Sequence, residues 1–398
     1  MRQDLSAFVG SRRDALAKTL SDLVAARTEN PPGNEYLAAK VVADFFERCG
    51  IPYKTFEAEP GRTNIIGIVG HGGPRILIAC HLDTVPAGHG WQTDPFQAVL
   101  KGDLIFGRGA CDNKGATASM LIAGEFLKSI EKELRGEVWL AGVADEERGS
   151  RLGLGYLVRQ RLLPVDMALV PDIAERLEVI DVAEKGACWL ELISHGKQAH
   201  GSRPEQGVNA VWNMIHLLKK IKELPLPCVA HRHLSPPTLN LGQIEGGSAP
   251  NMVPALCRAS IDIRYLPGMT HEAILKLVSA AVSETEKETG GRFELRVLLA
   301  QPPTEVAEDL PIIRALSEAT EEVTGKAPRV GGMSGATVVK ELLVGRIPSV
   351  GCGPGDSSMA HVANECASIN ELCAFSKILA LTCLKVMAAG VQQTLPAG

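Results

Sequence analysis

Ile76-Leu77-Ile78-Ala79-Cys80-His81-Leu82-Asp83 is the stretch on which the reading of this chain turns. Five apolar residues in a row, bounded by polar ones, suit a short strand covered on both faces rather than a helix with one wet side. The run ends on an imidazole and a carboxylate, so His81 and Asp83 fall at the carboxyl end of a buried strand, where open α/β sheets carry their sites. Similar runs occur at 64–69, 137–143 and 167–170, each bounded by Gly, Pro or Asp, with helical stretches at 115–129 and 151–161 between them. Upstream, Leu16, Leu20, Leu23 and Val24 mark an amphipathic helix over 11–27 that closes at Asn30-Pro31-Pro32-Gly33. Leu37, Val41, Phe45 and Cys49 mark a second helix that stops at Gly50. The alternation predicts an α/β fold with helices on both faces of a sheet.

From about residue 186 the rhythm changes to a strand (188–194), a helix (205–223), two strands (238–244 and 255–265), a helix (271–288) and a strand (292–299). That β-α-β-β-α-β order is a ferredoxin-like α+β unit. After Pro302-Pro303 the first pattern resumes, with a helix at 309–324, a glycine-rich loop at 331–335, a short strand near 347–351 and a closing helix from 367. The expected architecture is therefore an α/β/α sandwich with a mixed sheet, built from 1–184 and 300–398, interrupted by a smaller domain at 185–299.

A chain of 398 residues exceeds what one hydrophobic core usually serves, in keeping with two domains. Its 45% hydrophobic and 22% charged residues are those of a globular protein. With 41 basic against 46 acidic residues and no dense Lys/Arg run, the chain has no footprint for nucleic acid or an anionic membrane, and neither partner is expected. The polar start Met1-Arg2-Gln3-Asp4 has no apolar signal or anchor stretch, which places the protein in the cytoplasm by expectation. Ten scattered cysteines without a C-x-x-C pair, among them Cys80, Cys257 and Cys373 in apolar runs, read as buried reduced thiols.

Chemistry-bearing residues recur at strand ends. His81 and Asp83 are joined by Gly107-Arg108-Gly109-Ala110-Cys111-Asp112-Asn113-Lys114-Gly115, where glycines let the backbone crowd a ligand beside Asp112. The strand ending at Val143 delivers Asp145-Glu146-Glu147, the one ending at Val170 delivers Asp172, and Gly353-Pro354-Gly355-Asp356 leads to His361. Hard carboxylates mixed with imidazoles suit zinc or a similar divalent ion.

In order and spacing, His81-x-Asp83, the 107–115 segment, Asp145-Glu146-Glu147 and Ala360-His361-x-x-Asn364-Glu365 resemble the co-catalytic zinc hydrolases that include acetylornithine deacetylase, succinyl-diaminopimelate desuccinylase, aminoacylase and carboxypeptidase G. The resemblance spans nearly the whole chain. It implies a metal-dependent hydrolase cleaving an amide or peptide bond in N-acyl amino acids or short peptides, on a substrate bearing a carboxylate. It implies two divalent metal ions, zinc foremost with cobalt or manganese as options: Asp112 bridges them, His81 and Asp172 complete one site, and Glu147 and His361 the other. Glu146 is then the general base, with Asp83 behind His81 to orient the imidazole or restrain the base. The inserted domain becomes a dimerisation and lid domain of a homodimer. There Gly196-Lys197-Gln198-Ala199-His200-Gly201 matches the segment whose histidine, here His200, steadies an oxyanion across the dimer. Ala249 to Pro254 with Asn251, Arg264 after Asp262-Ile263, and the Gly353 turn match substrate-holding segments, Arg264 being suited to grip a carboxylate.

His195, His216, His231 and His233 have no carboxylate companions at ligand spacing. Gly351 to Gly355 has no following Lys-Ser/Thr of a phosphate loop, and Ser334 is followed by Ala336 where a nucleophile elbow needs glycine. Two departures from the family pattern stand out: Val170-Pro171-Asp172 in place of Glu-Pro-Ser/Thr, and Val338 where relatives carry aspartate. The second supports a competing expectation, a metal-containing binding or scaffold protein of the same fold without turnover; retention of Glu146 and all five ligands opposes it.

Overall fold

The computed structural model describes residues 2–172, 175–227, 230–333, 335 and 337–390. The chain forms two compact units, one from residues 1–182, 306–331 and 337–398 and the other from 183–305 and 332–336. In sequence, the second interrupts the first.

In the first unit the run at Ile76 is the strand Arg75–His81, buried from Ile76 onward. It lies between Gly136–Val143 and Met167–Val170 and is parallel to both. Thr63–His71 and Tyr53–Glu57 extend the sheet antiparallel beyond Gly136–Val143, and Ser349–Gly351 runs parallel beyond Met167–Val170. The sheet is mixed. Its two faces serve different layers: Ile76, Ile78 and Cys80 join a cluster with Leu20, Phe46, Leu121 and Phe375 from four helices, whereas Leu77 and Ala79 join Leu154, Leu157, Val339 and Leu342. Each fully buried leucine or isoleucine there contributes about 1.5–3 kcal/mol, which is why the strand has no polar face. Because His81 pairs in register with Val143, and Ile78 with Leu169, the segments after these parallel strands emerge at one edge.

Several local expectations need correction. The helix expected over 11–27 is Arg13–Ala25, and a further helix, Arg2–Ser11, precedes it, the two broken at Arg12 (φ −104°, ψ 4°). The second helix, Tyr36–Cys49, buries Ala38, Ala39, Val42, Phe45 and Phe46. Leu37, Val41 and Cys49 only flank that face, because a strict four-residue step drifts round a helix of 3.6 residues per turn. Its end at Gly50 is left-handed (φ 65°), as a glycine cap allows. The helix over 151–161 shrinks to Leu154–Arg159, and residues 331–333 of the glycine-rich loop belong to a strand, Arg329–Met333. Ser334 and Ala336 lie outside the described residues. Cys80 and Cys257 are buried free thiols, Cys373 a half-buried one. Among the described residues Ile369–Ala389 is the one helix long and apolar enough to cross a membrane; here it packs inside the sandwich core.

In the second unit four antiparallel strands run in the order Thr238–Gly246, Leu256–Tyr265, Gly186–His195, Arg292–Gln301, the ferredoxin-like arrangement. Helices Ala210–Lys222 and His271–Thr289 bury Met214, Leu217, Ile274 and Val278 against one face. The first starts later than expected, because Pro204–Gln206 is a separate short turn and Gly207 is extended; Asn209 caps it by accepting from the Val211 and Trp212 amides. Its outer side leaves Trp212 68% exposed, near the edge strand whose Leu241 and Ile244 are also exposed.

Candidate metal centre

Three parallel strand ends and two loops supply the site. His81 Nε2 lies 2.9 Å from Asp112 Oδ1, and His361 Nε2 lies 3.1 Å from Asp112 Oδ2 and 3.2 Å from Glu147 Oε2. The two oxygens of Asp112 thus face two different imidazoles. Ligand atoms of His81, Asp112 and Glu147 fall within 4.8 Å of one another, as do those of His81, Glu146 and Asp172. His81, Asp112 and Asp172 are buried, whereas the His361 side chain is half-exposed, so the cluster is closed behind and open at His361.

The donor chemistry fits divalent cations. His81 Nδ1 is 3.0 Å from the Asp83 carbonyl, which can only accept, so a neutral His81 ring carries its proton on Nδ1. It then turns the bare lone pair of Nε2 on a carboxylate oxygen, an arrangement that a cation, or a charged ring, must reconcile. Glu147 Oε1 is buried without a hydrogen-bond partner, an orphan oxygen of the kind a metal satisfies.

The electrostatics agree. Enclosure of its carboxyl and the nearby Asp172 carboxylate push Glu146 well above the ordinary carboxylate range. Burial raises Glu147 as well, against the hydrogen bond from His361. For Asp112, burial is outweighed by its bonds to His361 and His81, and it is held low. His361 is pushed up to about 10 by its bonds to Asp112 and Glu147. Four carboxylates, of Asp112, Glu146, Glu147 and Asp172, thus crowd around two imidazoles, an excess of negative donors that suits divalent cations.

Asp83 meets the imidazole through its carbonyl, its carboxylate Oδ1 standing at 3.6 Å. That carboxylate instead accepts the amides of Glu146 (3.0 Å) and Glu147 (3.2 Å) and the Asn30 side chain (2.8 Å). It fixes both glutamates by their backbone. Gly353 sits where a Cβ would come within 3.0–3.2 Å of the Pro171 and Asp172 backbone, so it lets that loop close on the Asp172 segment.

In the second unit, Ser202 donates its amide to His200 Nδ1 (3.1 Å), which leaves Nε2 of the exposed ring as the donor. Asn251 adjoins it: the Gly201 amide bonds to the Asn251 carbonyl at 2.7 Å, and a Cβ on Gly201 would meet that backbone at 2.8 Å. Arg264 Nε is held by Asp262 (2.9 Å), and burial together with the Arg264 charge depresses the Lys185 ammonium. Val338 is buried in the apolar cluster with Leu154 and Leu342, where an unpaired aspartate would be costly.

Sequence reading passed over four residues that shape the site. Asn113 reaches the Pro171 carbonyl at 2.6 Å, and Glu35, Arg62 and Asn30 meet at Asp145. Asn113 and Asn30 fall in recognisable local motifs whose roles the sequence does not give; Glu35 and Arg62 are marked by no local pattern, since only distant segments bring them together. Glu365, at the end of the Ala360–Glu365 motif, accepts the amides of Gly109, Cys111 and Asp112.

Comparison with known proteins adds the lineage. Residues 182–290 match the peptidase dimerisation domain and residues 64–175 match peptidase family M28. The acetylornithine deacetylase of Vibrio vulnificus is 30% identical over 344 residues, 84% of this chain and 86% of that protein. A tripeptidase from Staphylococcus aureus superposes with a TM-score of 0.80 at 22% identity, over 95% of this chain and 99% of the other. An M20 family metallo-carboxypeptidase from Sulfolobus solfataricus gives 0.78 at 20% identity, over 93% and 99%.

Proposed function

Because the chain belongs to the M20 family of zinc metallopeptidases and deacylases, we propose that it hydrolyses the amide bond of an N-acyl amino acid or short peptide with two divalent ions and Glu146 as the base. The observation that carries this reading is Asp112, whose two carboxylate oxygens each face a different imidazole. Asp112 would bridge the ions, His81 and Asp172 would complete one site and Glu147 and His361 the other. Zinc is the ion we favour, with cobalt or manganese able to stand in. Bound there, the ions supply Lewis acidity to a water molecule and to the scissile carbonyl.

The rest falls to the chain's own groups. Glu146, beside Glu147 but not needed for the Asp112–Glu147–His361 contacts, takes a proton from the attacking water and passes it to the leaving amine. His200, with Nε2–H as donor, steadies the oxyanion. Arg264, set by its bond to Asp262 and close enough to depress the Lys185 ammonium, holds the substrate carboxylate with Asn251, and the Gly353 turn lines the substrate side.

Stripping the protein with a chelator should abolish turnover of N-acyl amino acids and dipeptides, and reloading with zinc, cobalt or manganese should restore it. Activity that survives complete metal removal sinks the reading. A turnover panel of that kind also separates deacylase from peptidase chemistry.

We further take the protein to be a homodimer through the second unit, as its match to a dimerisation domain supports. Trp212, Leu241 and Ile244 form the patch, Leu241 and Ile244 standing cross-strand from buried Ile261 and Ala259 on the helix-bearing face. Trp212→Glu should fold normally, since the residue is exposed, and weaken self-association by about 30-fold or more, the effect of a hot-spot tryptophan. Sedimentation at micromolar concentration reads this directly; an unchanged dimer would move the interface elsewhere.

A further inference from the structure

Asp145 joins the strand Gly136–Val143 to the two glutamates in a left-handed conformation, φ 65° and ψ 23°, which a residue other than glycine adopts at a cost. Every polar group it has is engaged. Its amide donates to Glu35 Oε1 (3.1 Å), its Oδ1 accepts from Arg62 Nη2 (3.1 Å) and Asn30 Nδ2 (3.2 Å), its Oδ2 accepts the Leu152 amide (3.0 Å), and its carbonyl accepts the Ser150 amide (2.6 Å).

Behind it, Arg62 clasps Glu35 through two bonds of 2.6 Å, with Glu35 fully buried and the Arg62 side chain 13% exposed. The cradle for the guanidinium is built by Gly33, where a Cβ would come within 2.4 Å of Arg62 Nε and where φ is 102°. None of these residues reaches the ligand atoms. They grip the residue through which the strand turns into Glu146 and Glu147, whose amides Asp83 then holds from the other side.

We infer that Arg62 and Glu35 form a positioning clamp that holds the Asp145 turn and thereby aims Glu146, together with Glu147, at the reaction centre. This rests on the reading of Glu146 as the base. A bidentate guanidinium–carboxylate pair is rigid, whereas an ammonium offers a point charge without the fork. Arg62→Lys therefore keeps the charge and loses the geometry.

The test compares metal-loaded Arg62→Lys and Glu35→Gln with the parent, alongside hydrogen exchange on the metal-free proteins. The expected result is a kcat lower by about 10–100-fold, the size of effect seen when groups behind a metal site are altered, with KM within about twofold. Amides of 144–152 should lose protection while those of Gly136–Val143 keep it. In an Asp145→Gly background, which removes the gripped side chain and permits the same φ, Arg62→Lys should change kcat by less than about twofold.

A kcat within twofold of the parent in folded Arg62→Lys overturns the clamp. So does protection lost equally in both segments, or a kcat that falls only with the folded fraction. Should Arg62→Lys not fold, Glu35→Gln, which keeps size and one acceptor, carries the same expectations. Turnover retained by Glu146→Gln would strike the base assignment instead, so the two failures are told apart.

Discussion

Replacing Glu146 by glutamine lowers kcat by about 10²- to 10⁴-fold, the usual contribution of a placed general base, and leaves the bound metal near its original content. The substitution removes the proposed proton acceptor and keeps the shape. Glu147, Asp112 and His361 make their contacts without it, and the backbone that carries residue 146 is held by Asp83 through the amide, not the side chain. KM should move little, because the lost interaction belongs to the transition state. Metal analysis and steady-state kinetics on the same preparation check it. A variant that retains more than about a tenth of the activity means that another group takes the proton; one that loses metal means that Glu146 is a ligand, as its place within 4.8 Å of His81 and Asp172 would then explain.

The second large effect is on stability. Glu365 is fully buried and binds Arg108 Nη1 at 2.5 Å, with Oε1 accepting from the amides of Cys111 (2.8 Å) and Asp112 (2.9 Å) and Oε2 from that of Gly109 (3.1 Å). Its carboxylate fills the concave side of the loop that presents Asp112. Glu365→Ala leaves a buried guanidinium and three amides without their acceptor, a loss of about 3–5 kcal/mol for a broken buried pair. Urea unfolding of the metal-free protein should show the midpoint falling accordingly, and metal retention should weaken because Asp112 is no longer anchored. A change below about 1 kcal/mol would mean that water enters and serves the loop equally well. Glutamine is a poor remedy here, since its amide group would set donors against donors.

These two residues also show how far sequence alone carries. Glu146 is legible because it follows an apolar strand and sits in a triplet of acids, so a local pattern announces it. His81 and Asp172 are legible for the same reason, each at the end of a run whose hydrophobicity fixes its place in the sheet. The register between parallel strands then does the rest, as His81 facing Val143 shows. Arg62, Glu35 and Asn30 are not legible, because nothing about a lone arginine after a glycine or a glutamate before a helix distinguishes a buried clamp from a solvated charge. Their meaning appears only when remote segments meet at Asp145. The small α+β unit is the opposite case: its element order is readable from alternation and helical spacing, and the differences lie at ends such as residues 205–209, where a capping asparagine and an extended glycine override periodicity.

The bond from Glu365 to the Asp112 amide spans 253 residues of sequence. On a ribosome, the loop bearing Asp112 is made early, yet its anchor emerges only after the whole intervening small unit has been synthesised. His361 arrives at the same late moment. A growing polypeptide, or one cut short after the small unit, therefore has half a centre and an unbraced loop. On the proposed reading of the centre, chain order thus couples the meeting of His81, Asp112, Glu147 and His361 to near-complete translation.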